Sequence, residues 1–412
     1  MEQPFVLDPA GRDVNGEAER LRELGPATRV ELPGGIMAWT VSEFDLLKKL
    51  LADPRVSRDP RKHWPAWQRG EHHDSWIQPW TAPVNMLTSY GVEHRRLRKL
   101  VAPAFTGRRT EAMRGEVERI TAKLLDGLGE VPPGETVDLR AAYAFPLPML
   151  VICGLFGIPE ESRSDLSDLV ERIMDTTTTP EEADRTMRDI ASTFDGLIAH
   201  KREHPGDDLA TMLVSTRDED GDRLTEAELQ ATLLLLMSAG HETTVNLIGN
   251  AVHALLTHPD QLALVRNGEV PWENVIEETL RWAPSVSSIP LRYAIEDIEL
   301  TGGAGTRRLT IRKGDPILAT FGAAGRDPLR HGADAAVFDI RREDPEHLAF
   351  GHGVHFCLGA PLARIEARTA LPALFARFPG LALAVPPEEI AHVPSFIANG
   401  HATLPVRLTP AR

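Results

Sequence analysis

The sequence predicts a mainly α-helical protein with small β-sheets, and three observations carry that reading. A capped helix of about 31 residues, roughly 46 Å at ~1.5 Å per residue, runs to Thr257-His258-Pro259 with an apolar middle. Several other stretches repeat apolar residues at three- and four-residue steps. β-like runs are few and short.

In chain order, Arg29 to Glu31 reads as strand and Ser42 to Asp53 as helix. Glu93 to Val101 is a basic helix carrying His94, Arg95, Arg96, Arg98 and Lys99. Gly107 to Gly127 is amphipathic, with Met113, Val117, Ile120 and Leu124 on one face. Ser164 to Thr176 and Pro180 to His200 also read helical. The long helix opens at Thr225-x-x-Glu228, a capping box in which hydroxyl and carboxylate each satisfy a backbone N–H. A further helix takes Pro271 as a first-turn residue and ends before Pro284. Thr310 to Arg312, Ile317 to Thr320 and Leu404 to Leu408 read as strands. No repeat or low-complexity linker divides the chain, and its 412 residues allow one large domain or two to three ordinary ones.

Composition narrows the function. Hydrophobic residues at 42% supply a sizeable core, which excludes a disordered chain. A net charge of −15 argues against a general nucleic-acid binder. Cys153 and Cys357, the two cysteines, cannot build an iron–sulfur cluster or a disulfide framework. The N-terminal residues lack a signal-peptide pattern and no apolar run reaches the ~20 residues that span a bilayer. The expectation is a cytoplasmic monomer without membrane attachment.

Inside the long helix sits Ala239-Gly240-His241-Glu242-Thr243-Thr244. A carboxylate and hydroxyls in a buried helix are costly unless paired. Glu278-x-x-Arg281 places two charges on one helix face, which by spacing alone is a surface ion pair. His94-x-x-x-Arg98 lies in a basic segment that is either a solvated face or an anion-recognition site. Phe350-Gly351-His352-Gly353-Val354-His355-Phe356-Cys357-Leu358-Gly359 packs glycines around a cysteine at a helix entrance, where backbone N–H groups favour a thiolate. Its alternatives are an inert core cysteine or a zinc site from His352, His355 and Cys357.

Phe350-Gly-x-Gly-x-His355-x-Cys357-x-Gly359 resembles the haem-binding signature of the cytochrome P-450 monooxygenases. The resemblance extends over essentially the whole chain. Ala239-Gly240-x-Glu242-Thr243 is similar to the oxygen-activation motif, Glu278-x-x-Arg281 to the paired charges, and His94-x-x-x-Arg98 to the propionate helix. Arg326-Asp327-Pro328 and Phe338-Asp339-x-x-Arg342 match the segments before the cysteine loop. The wording is similar to actinobacterial members that oxidise natural products. Departures are Gly325, where many relatives carry Asn, and Gly305-Thr306-Arg307-Arg308 in a usually short hairpin.

The resemblance, with motifs from Glu93 to Gly359 around one cofactor, implies a single cytochrome P-450 domain over residues 1–412 that encloses haem b between the long helix and the cysteine loop. It implies Cys357 as axial ligand to iron, with Phe350, Gly351 and Gly359 in the cradle. His94, Arg98, Arg292 and His355 would hold the propionates. Ala239 and Gly240 would leave room for dioxygen beside a locally distorted helix, and Glu242 with Thr243 would deliver protons. His241 would face away from iron. Glu278, Arg281 and Arg342 would form a structural ion network. Met86, Leu235, Ala239, Val286, Ile289 and Ile397 would line a hydrophobic substrate pocket, under a lid drawn from the tryptophans at 64–80. The chain has no dinucleotide fingerprint, so electrons would come from NAD(P)H through a ferredoxin reductase and a ferredoxin. Arg95, Arg96, Lys99 and Arg364 would form the basic docking patch. A haem-binding sensor or carrier without turnover is the alternative function.

Overall fold

A computed structural model of the chain describes residues 4–132, 134–158, 169, 172, 178–217, 221–302 and 307–409. The central helix spans Glu226–Thr257, and both halves of its capping box form. Glu228 N donates to Thr225 Oγ1 at 3.3 Å, and Thr225 N donates to Glu228 Oε2 at 2.8 Å. The helix packs against Pro146–Phe156, Trp272–Trp282 and Ala360–Arg377. Val245, Ile248, Val252 and Leu255 are fully buried in that core, each contributing about 1.5–3 kcal/mol. The helix stays α-helical through Ala239 and Gly240, so the expected local distortion is not present.

Other boundaries shift. The expected helix over 107–127 is two, Gly107–Ala112 and Arg114–Gly129, broken at Met113. Gly115 beside the break weakens helix continuity. Its buried face continues through Leu125 and Leu128, leaving Leu124 half-buried. Pro271 is the cap before Trp272–Trp282 rather than a first-turn residue. The expected helix at 164–176 lies outside the described residues, apart from Leu169 and Arg172, which are helical. Pro180–Glu203 is helical, and Thr179 and Glu182 form its capping box.

The main sheet has six strands, in the order Phe5–Val6, Ala27–Leu32, Ile36–Val41, Pro316–Thr320, Ser288–Ala294 and Val56–Ser57. Between Ile289 and Arg292 the register slips: Ile289 faces Ala319, but Arg292 faces Ile317. Three residue steps on one strand match two on the other, which is a β-bulge. Ala382–Leu383, Pro405–Arg407 and Thr136–Asp138 form a small sheet, and Ile298–Gly302 pairs with Arg307–Ile311 in a hairpin. The hairpin tip at 303–306 lies outside the described residues.

Trp64, Trp67 and Trp76 do not form a lid. They are buried against the sheet with Tyr293, Phe396 and Ile397. Trp64 stacks on Tyr293 with ring centroids 5.5 Å apart.

Glu278 and Arg281 are not a surface pair. They are 1% and 0% exposed and joined by two 2.7 Å hydrogen bonds. The remaining guanidinium N–H groups donate to the carbonyls of Gly325, Ala335 and Val337 at 2.6, 2.7 and 2.9 Å. Arg342 Nε lies 3.6 Å from Glu278. Asp339 N donates to Glu278 at 2.9 Å. Gly325 is required by this approach, since a Cβ there would sit 2.1 Å from the Arg281 carbonyl oxygen.

Candidate active site

A large cavity lies between the central helix and the cysteine loop. Cys357 reaches its wall just before the helix Ala360–Arg377. The loop is held by its own backbone: Cys357 N donates to the Phe350 carbonyl at 2.9 Å, and Phe356 N to that of Gly353 at 3.1 Å. Gly353 takes φ +72°, and a Cβ there would meet the Leu51 carbonyl oxygen at 2.9 Å. Burial pushes the Cys357 thiol up, outweighing the N–H groups of Gly359 and Ala360 and the charges of Arg98 and Arg364. A bound metal ion deprotonates such a thiol.

Phe350, Gly351, His355 and Gly359 share the wall with Cys357. Arg364 lies 4.6 Å over the Phe350 ring and forms two bonds to Glu277, 2.6 and 2.8 Å long. Burial opposes the Glu277 charge, yet Arg364 and His347 hold its carboxyl down to about 2. Of the expected docking patch, Arg364 is thus bonded to Glu277, and Arg96 pairs with Glu228 and with Asp222. Arg95 and Lys99 are exposed.

One side of the cavity is cationic. Arg98 and Arg292 line it, and so does Arg58, which no motif marked. Arg98 Nη2 donates to the Phe356 carbonyl at 2.7 Å. Arg292 Nη1 and Arg58 Nε are buried without partners. Burial lowers Arg58 to about 10, and burial followed by the Arg58 charge holds Arg292 well below its ordinary value. His94 stands behind His355, ring centroids 4.3 Å apart, with its Nε2 unpartnered. Burial, then Arg98 and Arg95, bring His94 down to about 4. Burial and the surrounding cations also lower His355. Buried cations without carboxylate partners fit a group that brings its own carboxylates.

The rest of the wall is largely apolar and includes Met86, Leu235, Ala239, Val286 and Ile289. Trp80 joins it. Ile397 does not: it is fully buried in the sheet-side cluster, its carbonyl accepting from Ser287 N at 2.8 Å. Gly240 faces the cavity, and a Cβ there would meet Ile152 Cδ1 at 2.6 Å.

Thr243 lines the cavity, and its hydroxyl donates to the Ala239 carbonyl at 2.6 Å. Glu242 is 4% exposed and points away to Arg140, whose Nη2 donates to it at 3.1 and 3.2 Å. Arg140 is a second residue that sequence reasoning missed. His241 faces away from the cavity, its Nε2 bonded to the Phe145 carbonyl at 3.1 Å. Among the described residues no group of three His, Cys, Asp or Glu side chains could hold a metal ion, which overturns the zinc alternative. Nor is any helix there long and apolar enough to cross a membrane.

The family model for cytochrome P450 matches residues 71–268 and 272–394. The chain belongs to the cytochrome P450 family. It is 44% identical over 406 residues to a 2-hydroxy-5-methyl-1-naphthoate 7-hydroxylase of Streptomyces carzinostaticus, covering 98% of this chain and 97% of the relative. It is 40% identical over 398 residues to the 6-deoxyerythronolide B hydroxylase of Saccharopolyspora erythraea, covering 94% of each. The solved structure of CYP154A1 from Streptomyces coelicolor A3(2) superposes with a TM-score of 0.92 at 52% identity, covering 98% of this chain and all of that one. This P450 is a haem-thiolate monooxygenase with the fold expected from its sequence.

Proposed function

We propose that this P450 hydroxylates a bulky hydrophobic small molecule of the macrolide, polyketide or steroid class, within one domain over residues 1–412. The carrying observation is the cavity, with a thiol and unpaired guanidiniums in an otherwise largely apolar wall. The hydroxylases of a naphthoate and of 6-deoxyerythronolide B support the substrate class as relatives. Haem, when bound, supplies oxygen activation through an iron whose axial thiolate favours O–O cleavage.

In this reading Cys357 would ligate the iron, and Phe350, Gly351 and Gly359 would shape the cradle. His94, Arg98, Arg292 and His355 would hold the propionates. Met86, Leu235, Ala239, Val286 and Ile289 exclude water and orient the substrate. Thr243 swings its hydroxyl from the Ala239 carbonyl into the cavity and presents a proton there. Glu242, turning from Arg140, would take a proton from solvent and relay it to that hydroxyl. Electrons arrive from NAD(P)H through a ferredoxin reductase and a ferredoxin. Exposed Arg95 and Lys99 attract the acidic donor, and exposed Val354 and Phe356 lie on the cysteine loop beside the basic helix. Nothing supports a passive sensor.

Two measurements test the reading. Cys357→Ser should abolish the red-shifted Soret band of the ferrous–CO form; persistence of the band would refute the ligand assignment. A panel of steroids and macrolides, with a ferredoxin and reductase, should yield a hydroxylated product by mass spectrometry. Absence of both spectral displacement and product across the panel would count against the substrate class. Charge reversal at Arg95 and Lys99 should slow reduction and flatten its salt dependence.

A further inference from the structure

We propose that Arg58 is a third guanidinium on the propionate side of the haem, where it raises the reduction potential and retains the cofactor. This rests on the haem site proposed above and adds a residue that lies outside every motif. Arg58 follows the strand Val56–Ser57, which pairs with Tyr293 and Ala294 of the strand carrying Arg292. Its Nη2 donates to the Pro290 carbonyl at 3.0 Å, which fixes the guanidinium on the cavity wall. The side chain is buried, and its Nε has no partner. Its neighbour Asp59 does not serve it: that carboxylate pairs with Arg61 at 2.8 Å and Lys62 at 3.5 Å.

A guanidinium buried beside a second guanidinium, with no acid between them, calls for an anion. The charged and titratable groups on the cavity wall are Arg58, Arg98, Arg292, His355, Glu366 and Cys357. Three of these are guanidiniums, and haem would bring two propionate carboxylates to meet them. Reduction of the iron adds one negative charge to the site, which a nearby buried guanidinium stabilises. Arg58 therefore favours the ferrous state, and as a cation on the cavity wall it is placed to meet a propionate.

The test uses the holoenzyme. Potentiometric titration of Arg58→Met should place the midpoint potential more negative than in the parent. Haem transfer to apomyoglobin should be about tenfold faster, the loss of one charged hydrogen bond. Arg58→Lys keeps the charge but not the fork, so it should hold the potential near the parent's and still release haem faster. If Arg58→Met does not fold, Arg58→Gln is measured in its place. A charge-removing variant that keeps both the potential and the release rate of the parent would overturn the proposal. Failure of the underlying site is distinguished by the parent itself, which would then lack the thiolate–CO band.

Discussion

At the scale of single residues, the chemistry depends on which side chains face the cavity and which stand behind it. Thr243 faces it and Glu242 does not, so the two cannot be interchangeable. Thr243→Ala removes the hydroxyl while leaving the helix intact. We expect NADPH consumption to continue with product per NADPH down roughly tenfold or more; full coupling would contradict the proton role. Arg140→Met removes the guanidinium that fixes the buried Glu242 carboxylate, so product per NADPH should fall. Unchanged coupling would separate Arg140 from proton delivery. The motif residues were legible because each motif is local in sequence. Arg58 and Arg140 were not, since only tertiary folding brings them to the site. Ile397 was misplaced because a lone apolar residue fits a core and a pocket equally well by composition.

At the scale of elements, the helices were the readable part. The capping box at Thr225 and the apolar face through Val117 and Ile120 are short-range patterns, and both appear as expected. Strands such as Phe5–Val6 and Val56–Ser57 have two residues each. Their partners lie far along the chain, so no local period announces them. The surface reading of Glu278 and Arg281 failed for the same reason: three carbonyls from residues 325–337 close over that helix. Gly325 is where this closure is tightest. Gly325→Ala should destabilise the holoenzyme by about 1–3 kcal/mol through overpacking, read as a lower denaturation midpoint. An unchanged midpoint would show that the backbone there yields freely.

At the scale of the whole molecule, acid sensitivity follows from buried imidazoles. Burial lowers His241, His253 and His331 to about 4 and His401 to about 3, each from an ordinary value of 6.5. Between those values the unfolded chain binds more protons than the folded one. Stability is therefore full above about pH 6.5 and declines as pH falls toward 4. Glu277, held near 2 rather than 4.5, extends the decline below that. Denaturation midpoints of the holoenzyme measured from pH 7 to 4 should fall steadily, and a flat profile would contradict neutral burial of these histidines. The β-bulge carries a different consequence, for how such a protein can diverge. Ile289 and Arg292 both line the cavity although they are three positions apart, a spacing that a regular strand would send to opposite faces. The bulge restores them to one side. Substitution at Ile289 can thus remodel the substrate wall while Arg292 stays in place, whereas an insertion or deletion of one residue between them would turn the cation away. Along this strand, exchange of residues is open to selection and change of length is closed.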